Sequence, residues 1–396
     1  MARFPKKLTL KLQERVANNS LRHLPLNEDL VDFSSNDYLG FARNEKLFRA
    51  TSEILIEKQQ VANGSGGSRL LRGNHALYHE VELNLCKYFE VEAALVFNSG
   101  YDANVGFFAS VPQRNDLVFY DEYIHASVRD GIKMGHAKSY KFEHNDLEDL
   151  KRKVELAQAQ RSEVDSELFV VTESVFSMDG DSPDLLELSD YCQVHGIRLI
   201  VDEAHALGVF GDGGRGLLHD LGLQWKPFAR IITFGKAWGC HGAAILGSEE
   251  LRTYLLNFAR SLIYTTALPQ HTVAAVLAAN QMANSEEGVR KQQILKERIK
   301  FFQEKILEFN LKGHFIESDS AIHCCILKGN SKVKRVSEAL RIQGIDVRPI
   351  LSPTVPEGEE RLRFCLHSFN KEKDISKIFE VLKEHIVKLR PSIQRG

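Results

Sequence analysis

Two short stretches carry groups able to do chemistry together. An apolar run, Leu199-Ile-Val-Asp202, ends in a carboxylate with His205 three residues on, and a second run ends in Thr233-Phe-Gly-Lys236. The carboxyl end of a strand is where layered α/β sheets bind ligands. A lysine amine there can condense with a carbonyl, and a carboxylate beside it can hold a proton on a ring nitrogen. Three further strand ends add to the set. Phe97-Asn-Ser99-Gly100-Tyr101 closes a strand and opens a helix, offering backbone N–H groups and a positive dipole end to a phosphate. Asp121-Glu-Tyr-Ile-His125 brings an imidazole able to stack on a ring, and Thr172-Glu-Ser-Val-Phe-Ser177 brings hydroxyls. Strand–Asp–x–x–His followed by strand–Thr–x–x–Lys suggests pyridoxal phosphate, which needs a lysine amine for its Schiff base and a carboxylate for its ring nitrogen. Taken singly, Asp202 reads as a helix cap and Lys236 as a solvated charge.

Three other motifs point elsewhere. Gly211-Asp-Gly213-Gly-Arg-Gly216 satisfies the dinucleotide fingerprint, but it lies late in the sheet with no opening βαβ unit, and reads as a glycine-rich turn. Asp202-Glu-Ala-His205 spells the DEAH box of an NTPase. The sole Gly-Lys pair, Gly235-Lys236, is followed by Ala237, so the phosphate loop of such an enzyme is missing. His75 and His79, four apart on an expected helix, could share a metal-ligand face, but no H-E-x-x-H and no third ligand accompany them. No metal is expected.

The elements that must hold these groups follow from periodicity. Strands are expected at Leu95–Phe97, Leu117–Tyr120, Lys138–Phe142, Leu168–Thr172, Arg198–Asp202, Arg230–Phe234 and Ala243–Gly247, several of them continuously apolar as in strands buried on both faces. Helical patterns such as His75–Phe89 and Pro183–His195 alternate with them, the pattern of an α/β layered domain. Past residue 285, Leu295, Ile299, Phe302 and Ile306 recur at helical spacing in a charged stretch, and Ile375, Ile378, Phe379, Leu382 and Ile386 mark a final amphipathic helix. Between them sit the strand candidates Ile322–Leu327 and Arg361–Leu366. In the latter, Arg361 and Arg363 share a face, either to grip a carboxylate or as solvated edge-strand arginines. The expected division is an arm at 1–50, an α/β domain at 51–285 and an α+β domain at 286–396.

The totals set bounds. The chain has 396 residues, with 51 Lys plus Arg against 53 Asp plus Glu, a net charge of −2 that gives no reason to expect nucleic acid. An apolar share of 43% with 26% charged residues is that of an ordinary globular protein. The six cysteines lack C-x-x-C spacing and read as reduced thiols. The first residues are basic without an apolar stretch, and no apolar run is long enough to span a bilayer, so a cytoplasmic location is expected.

Jointly these segments resemble the α-oxoamine synthases, pyridoxal-phosphate enzymes of the aspartate-aminotransferase fold. The likeness runs from Phe33-Ser-Ser-Asn-Asp-Tyr-Leu-Gly40 through Gly64-Ser-Gly-Gly-Ser-Arg69, Asn74-His75, Val175-Phe-Ser-Met-Asp-Gly180 and the two stretches above to Arg361-Leu-Arg363. Asp179-Gly-Asp-Ser182, Phe258-Ala-Arg-Ser-Leu-Ile-Tyr264, Ser320-Ala-Ile322 and Pro353-Thr-Val-Pro356 are most similar to the biotin-pathway branch. The resemblance implies an α/β fold, the pyridoxal-phosphate transferase fold type I, with a large, mostly parallel seven-stranded sheet domain and a smaller α+β C-terminal domain. It implies that Lys236 binds the cofactor and moves the substrate α-proton, that Asp202 pairs with the ring nitrogen, and that His125 stacks on the ring. His205 and Ser177 would bond near the ring phenolic oxygen, and Ser99, Gly100, Tyr101 and Thr233 would hold the phosphate. Thr265 or Thr266 would reach the phosphate of the partner subunit, making a homodimer with its active site at the interface. Arg363 would take the amino-acid carboxylate, and Arg22 would lie near the acyl group.

The implied reaction is a decarboxylating condensation of L-alanine with a pimeloyl thioester, carried on CoA or a carrier protein. Glycine C-acetyltransferase and serine palmitoyltransferase-like relatives share the core residues, so the amino acid stays open. Ala237 and Trp238 after the lysine, Cys240-His241 before Gly242, and Pro183-Asp184 after Ser182 depart from the family's usual residues.

Overall fold

The computed structural model describes residues 4–24, 28–159 and 166–387, which form two compact units. One comprises Asn36–Ser177 and Asp181–Lys296. The other takes in the described residues of Met1–Ser35, Met178–Gly180 and Glu297–Gly396.

All seven strands expected in the middle of the chain form, and they make one sheet: β1 (Ala93–Phe97), β2 (Leu117–Asp121), β3 (Lys138–Phe142), β4 (Leu168–Glu173), β5 (Arg198–Asp202), β6 (Ala229–Thr233) and β7 (Ala243–Gly247), in the order β1-β7-β6-β5-β4-β2-β3. β7 runs antiparallel to both neighbours, and the other six run the same way. Alternate side chains leave opposite faces. Val118, Phe169, Val171, Ile200 and Ile231 pack with Phe107, Phe108, Val128 and Leu255 in one core. Leu117, Phe119, Val170, Leu199 and Val201 pack with Leu150, Val154, Leu188 and Leu218 in another. Burial on both faces is why these strands read as continuous apolar runs. Edge strand β3 exposes Lys138 and Lys141, charges that discourage pairing with another chain.

Helix starts follow local capping chemistry. Ser99 accepts the Asp102 N–H at the head of Gly100–Ser110, and Ser248 accepts that of Leu251 ahead of Glu249–Phe258. Asp184 caps Leu185–Val194, so that helix starts two residues later than Pro183. Similarly, His75 stands before Ala76–Phe89 with extended backbone, and does not sit on the helix face with His79. The stretch Gly211–Gly216 is a turn. At Gly216 (φ +107°) a Cβ would lie 2.6 Å from Glu203 Oε1, so the residue lets the chain pass close enough for Leu218 to donate its N–H to that oxygen at 2.9 Å. The other Glu203 oxygen takes Arg230 Nε and Nη2 at 2.9 and 2.6 Å, an ion pair shut off from water.

The second unit holds an antiparallel sheet, β8 (Ile322–Ile326), β9 (Arg348–Ile350) and β10 (Arg361–Cys365), with β10 central. Central placement removes the reading of Arg361 and Arg363 as solvated edge residues: both are buried, and Arg361 pairs with Asp179 and Glu359. The long helix Glu286–Glu308 and the final helix Glu372–Val387 form where periodicity puts them. Phe302 packs on Phe379 with ring centroids 4.8 Å apart and on Phe364 at 5.6 Å, the aromatic centre of this unit.

Replacing Arg230 with Met strands the Glu203 carboxylate in the core. We expect R230M to lower the unfolding free energy by about 3 kcal/mol in urea titrations. The double variant R230M/E203M should lose less, because no unpaired charge is then left buried.

Candidate active site

The strands sharing one direction bring their carboxyl ends to one edge, where a cavity of about 280 Å³ opens. Its wall includes Ser99, Gly100 and Tyr101 beyond β1, His125 beyond β2, Glu173 at the end of β4, Asp202 and His205 at β5, and Thr233 and Lys236 at β6. Because β7 runs the other way, it contributes residues from its start, His241 and Gly242.

Hydrogen bonds fix the orientation of most of these groups. Asp202 Oδ1 accepts the Ala204 N–H and Oδ2 accepts Asn104 Nδ2, both at 3.0 Å, so the buried carboxylate is aimed by its own turn and by the helix Gly100–Ser110. Asn104 Nδ2 also donates to Ser127 Oγ at 3.0 Å. Ser127 meets His125 Nδ1 through its N–H at 3.2 Å and its hydroxyl at 2.7 Å, which makes Nδ1 the acceptor and leaves the imidazole proton on Nε2. Burial holds the His125 pKa below the ordinary value, with Lys236 acting the same way and Asp202 opposing. The ring is therefore neutral. His205 Nδ1 lies 2.7 Å from the Tyr38 hydroxyl.

The same wall is suited to pyridoxal phosphate. Thr233 Oγ1 is buried with no hydrogen-bond partner among the described residues, and a Cβ on Gly100 would come within 2.6 Å of Thr233 Cγ2. An unpaired hydroxyl, a residue with no room for a side chain and the first turn of a helix make a phosphate cradle. An aimed carboxylate, a neutral imidazole and a lysine amine complete the set that the ring and aldehyde require.

Not every expected residue lines this cavity. Ser177 follows β4 but stands outside the wall, as do Thr265 and Thr266, whose Oγ1 and carbonyl oxygen accept Asn98 Nδ2 at 3.1 and 2.6 Å. Arg363 and Arg22 belong to the other unit: Arg363 is buried in β10 with Nη1 2.8 Å from Cys365 Sγ, and Arg22 donates to Thr354 Oγ1 at 3.4 Å. Of the departures from the family, Trp238 stacks on Phe234 in the core at 5.6 Å, whereas His241 faces the cavity. Sequence reasoning missed Asn36, Asn104, Ser127 and Glu173 as parts of the wall. Glu173 carried a signal, an acid at the end of an apolar strand. Asn104 had none beyond lying one helical turn past Gly100.

Behind the wall, His144 ties two of the delivering loops together. Its Nδ1 bonds Asp121 Oδ1 and its Nε2 bonds Asp181 Oδ2, each at 2.9 Å. Its ring packs on Tyr123 at 4.4 Å and on Phe176 at 4.5 Å, two residues before His125 and one before Ser177. Burial works against protonation, but the bonds to the two aspartates prevail and raise the His144 pKa to about 10. A histidine pKa raised in the fold contributes stability that is complete below its unfolded value near 6.5 and is lost as pH rises through about 10. H144Q, which leaves the buried Asp121 without its cation, should cost about 3 kcal/mol at pH 7. Thermal melts of wild type should fall across that pH window, and those of H144Q should change less.

Comparison with known proteins agrees with this geometry. The model of the family described as aminotransferase class I and II matches residues 28–382. The 8-amino-7-oxononanoate synthase of Emericella nidulans is 38% identical over 386 residues, covering 93% of this chain and 92% of that protein. The solved structure of 8-amino-7-oxononanoate synthase from Francisella tularensis superposes with a TM-score of 0.75 at 28% identity, over 91% of this chain and 99% of that one. A serine palmitoyltransferase from S. paucimobilis, solved with bound PLP, shares the fold, with a TM-score of 0.84 at 24% identity over 96% of both chains. The chain belongs to the aminotransferase class I and II family.

Proposed function

We propose that the protein is a pyridoxal-phosphate-dependent acyltransferase that condenses L-alanine with a pimeloyl thioester, releasing carbon dioxide, the thiol and 8-amino-7-oxononanoate, a step of biotin biosynthesis. The observation that carries this reading is one cavity wall bearing Lys236, Asp202, neutral His125 and the Thr233–Gly100 cradle together. The Emericella and Francisella proteins support the choice of branch.

When bound, pyridoxal phosphate supplies an electron sink for the pair left behind by the amino acid's α-proton. The chain's residues do the rest. Thr233 and the first turn of Gly100–Ser110 would hold the phosphate, and Asp202, fixed by Asn104 and Ala204, would keep a proton on the ring nitrogen. His125 would stack on the ring as an uncharged face, adding no charge that would draw electrons from the sink. Lys236 Nζ removes the α-proton and returns one at the end. His205, steadied by Tyr38, donates toward the thioester oxygen as charge develops there. The α-carbon bonds to the thioester carbonyl carbon, the thiol leaves, and the original carboxylate departs as carbon dioxide. Arg363 receives that carboxylate until it leaves, and its planar fork suits a two-point grip. Ser177 would bond near the ring phenolic oxygen, and Arg22 would serve the acyl chain.

The working unit is a homodimer in which Thr265 or Thr266 completes the partner's phosphate site, and the enzyme acts in the cytoplasm. The acyl donor is pimeloyl-CoA or a pimeloyl carrier protein. Among the described residues no helix is long and apolar enough to cross a membrane.

Purified protein with pyridoxal phosphate should absorb in the near-ultraviolet and visible region, and borohydride should trap the cofactor on Lys236. K236A should lose at least about 100-fold in kcat, the scale of a general acid–base group. L-alanine should perturb the spectrum and turn over with pimeloyl-CoA. A response to glycine or serine without one to alanine would overturn the substrate assignment, and activity retained in K236A would overturn the chemistry.

A further inference from the structure

Glu173 lies on the cavity wall in none of the roles so far given. It ends β4 opposite Asp202, its register partner on β5, so the two carboxyl groups leave the same face of the sheet side by side. Both are buried. Carboxylates this close in a site shielded from water do not both ionise, and the proton settles on the one with fewer donors and less positive charge. Asp202 receives two donors, Asn104 Nδ2 and the Ala204 N–H. The donor given to Glu173 is the backbone N–H of His125, to its Oε1 at 2.8 Å.

The bond to His125 closes a ring of contacts. Asn104 links Asp202 to Ser127, Ser127 holds His125 Nδ1, and the His125 amide returns to Glu173 beside Asp202. The imidazole is thereby held at two points, its ring by Ser127 and its backbone by Glu173.

We propose that Glu173 is a positioning residue of the same reaction, an uncharged carboxylic acid that anchors the backbone of His125 and leaves Asp202 to carry the negative charge beneath the ring nitrogen. This rests on the reading of the cavity as a pyridoxal-phosphate site. Burial first, and then the charge of Asp202, push the Glu173 pKa up to about 8, with Lys236 and the His125 amide opposing. The groups facing it are Asp202 on β5, Lys236 beyond β6, and Asp121 and His125 at the end of β2. Because the pKa is raised, the acid is neutral below pH 8 and charged above it. Ionisation puts a second negative charge beside Asp202 and draws the His125 ring toward its cationic form, so the anchored, neutral arrangement is lost at alkaline pH.

The test uses the full-length enzyme and three forms of it: wild type, E173Q and E173A. Infrared difference spectra of wild type against E173Q, with and without added pyridoxal phosphate, should show a neutral-carboxyl stretching band at pH 6.5 that fades through pH 8. E173Q keeps an oxygen for the His125 N–H and cannot ionise. It should lose about threefold in kcat/KM at pH 7 and lack the alkaline fall centred near pH 8. E173A removes the acceptor and should lose more than about tenfold, chiefly in kcat, with the KM for alanine little changed. The proposal is overturned if no neutral-carboxyl band separates wild type from E173Q, or if E173Q is as impaired as E173A and keeps the alkaline limb. Failure of borohydride to trap the cofactor on Lys236 would instead overturn the cofactor reading. The infrared bands, taken without cofactor as well, separate that failure from a wrong charge state at Glu173.

Discussion

The large sheet is buried on both faces, and everything at its reaction edge depends on that constraint. With water excluded, each backbone polar group in the interior strands must be paired along the ladder, and a slip of one residue would turn every apolar side chain the wrong way. The register is therefore fixed by the two cores above and below it. That register sets Glu173 beside Asp202 and brings strand ends distant in the sequence to one edge. The precision of the site is inherited from packing that never touches a substrate.

On that base, the polar groups are organised as a closed circuit. Asn104 bonds both Asp202 and Ser127, Ser127 bonds His125 Nδ1, and the His125 amide bonds Glu173, which stands beside Asp202 in register. The charges are divided between layers. His144, its pKa raised by two aspartates, sits behind the wall between them and ties the Tyr123 and Phe176 loops together. The imidazole at the front, His125, is neutral. Two histidines nineteen residues apart in sequence (144 − 125) thus have pKa values shifted in opposite directions, because His144 has carboxylates at both nitrogens whereas burial, helped by Lys236, prevails at His125.

Much of this could be read from the sequence. The seven strands were legible because double burial writes itself as unbroken apolar runs, and Asp202, His205, Thr233 and Lys236 because they sit within a few residues of the ends of those runs. Helix starts at Ala76 and Leu185 came later than expected, since His75 has extended backbone and Asp184 caps the following helix, and neither is visible in a hydrophobic pattern. The central place of β10 was not legible. Two arginines alternating with apolar residues look the same whether they face water or, as with Arg361, a buried aspartate supplied from residue 179. Asn104 and Ser127 could not be found from sequence because their function comes from contacts across helices, and neither residue type is unusual where it stands.

The reversal of β7 has a consequence for how this scaffold can diversify. Parallel strands deliver cofactor-type groups from their ends, where each change also disturbs a following helix. The start of β7 is different: His241 is exposed at the cavity, while the strand behind it is wholly buried through Leu246. A change of side chain at the exposed His241 leaves the register, the cradle and the Asp202 circuit untouched, whereas Gly242 beside it, at φ +107°, has no room for one. The cofactor-type groups and the exposed His241 are in this way kept on separate parts of one sheet, while Cys240 beside it is tied inward by its thiol to the Trp238 and Ala275 carbonyl oxygens.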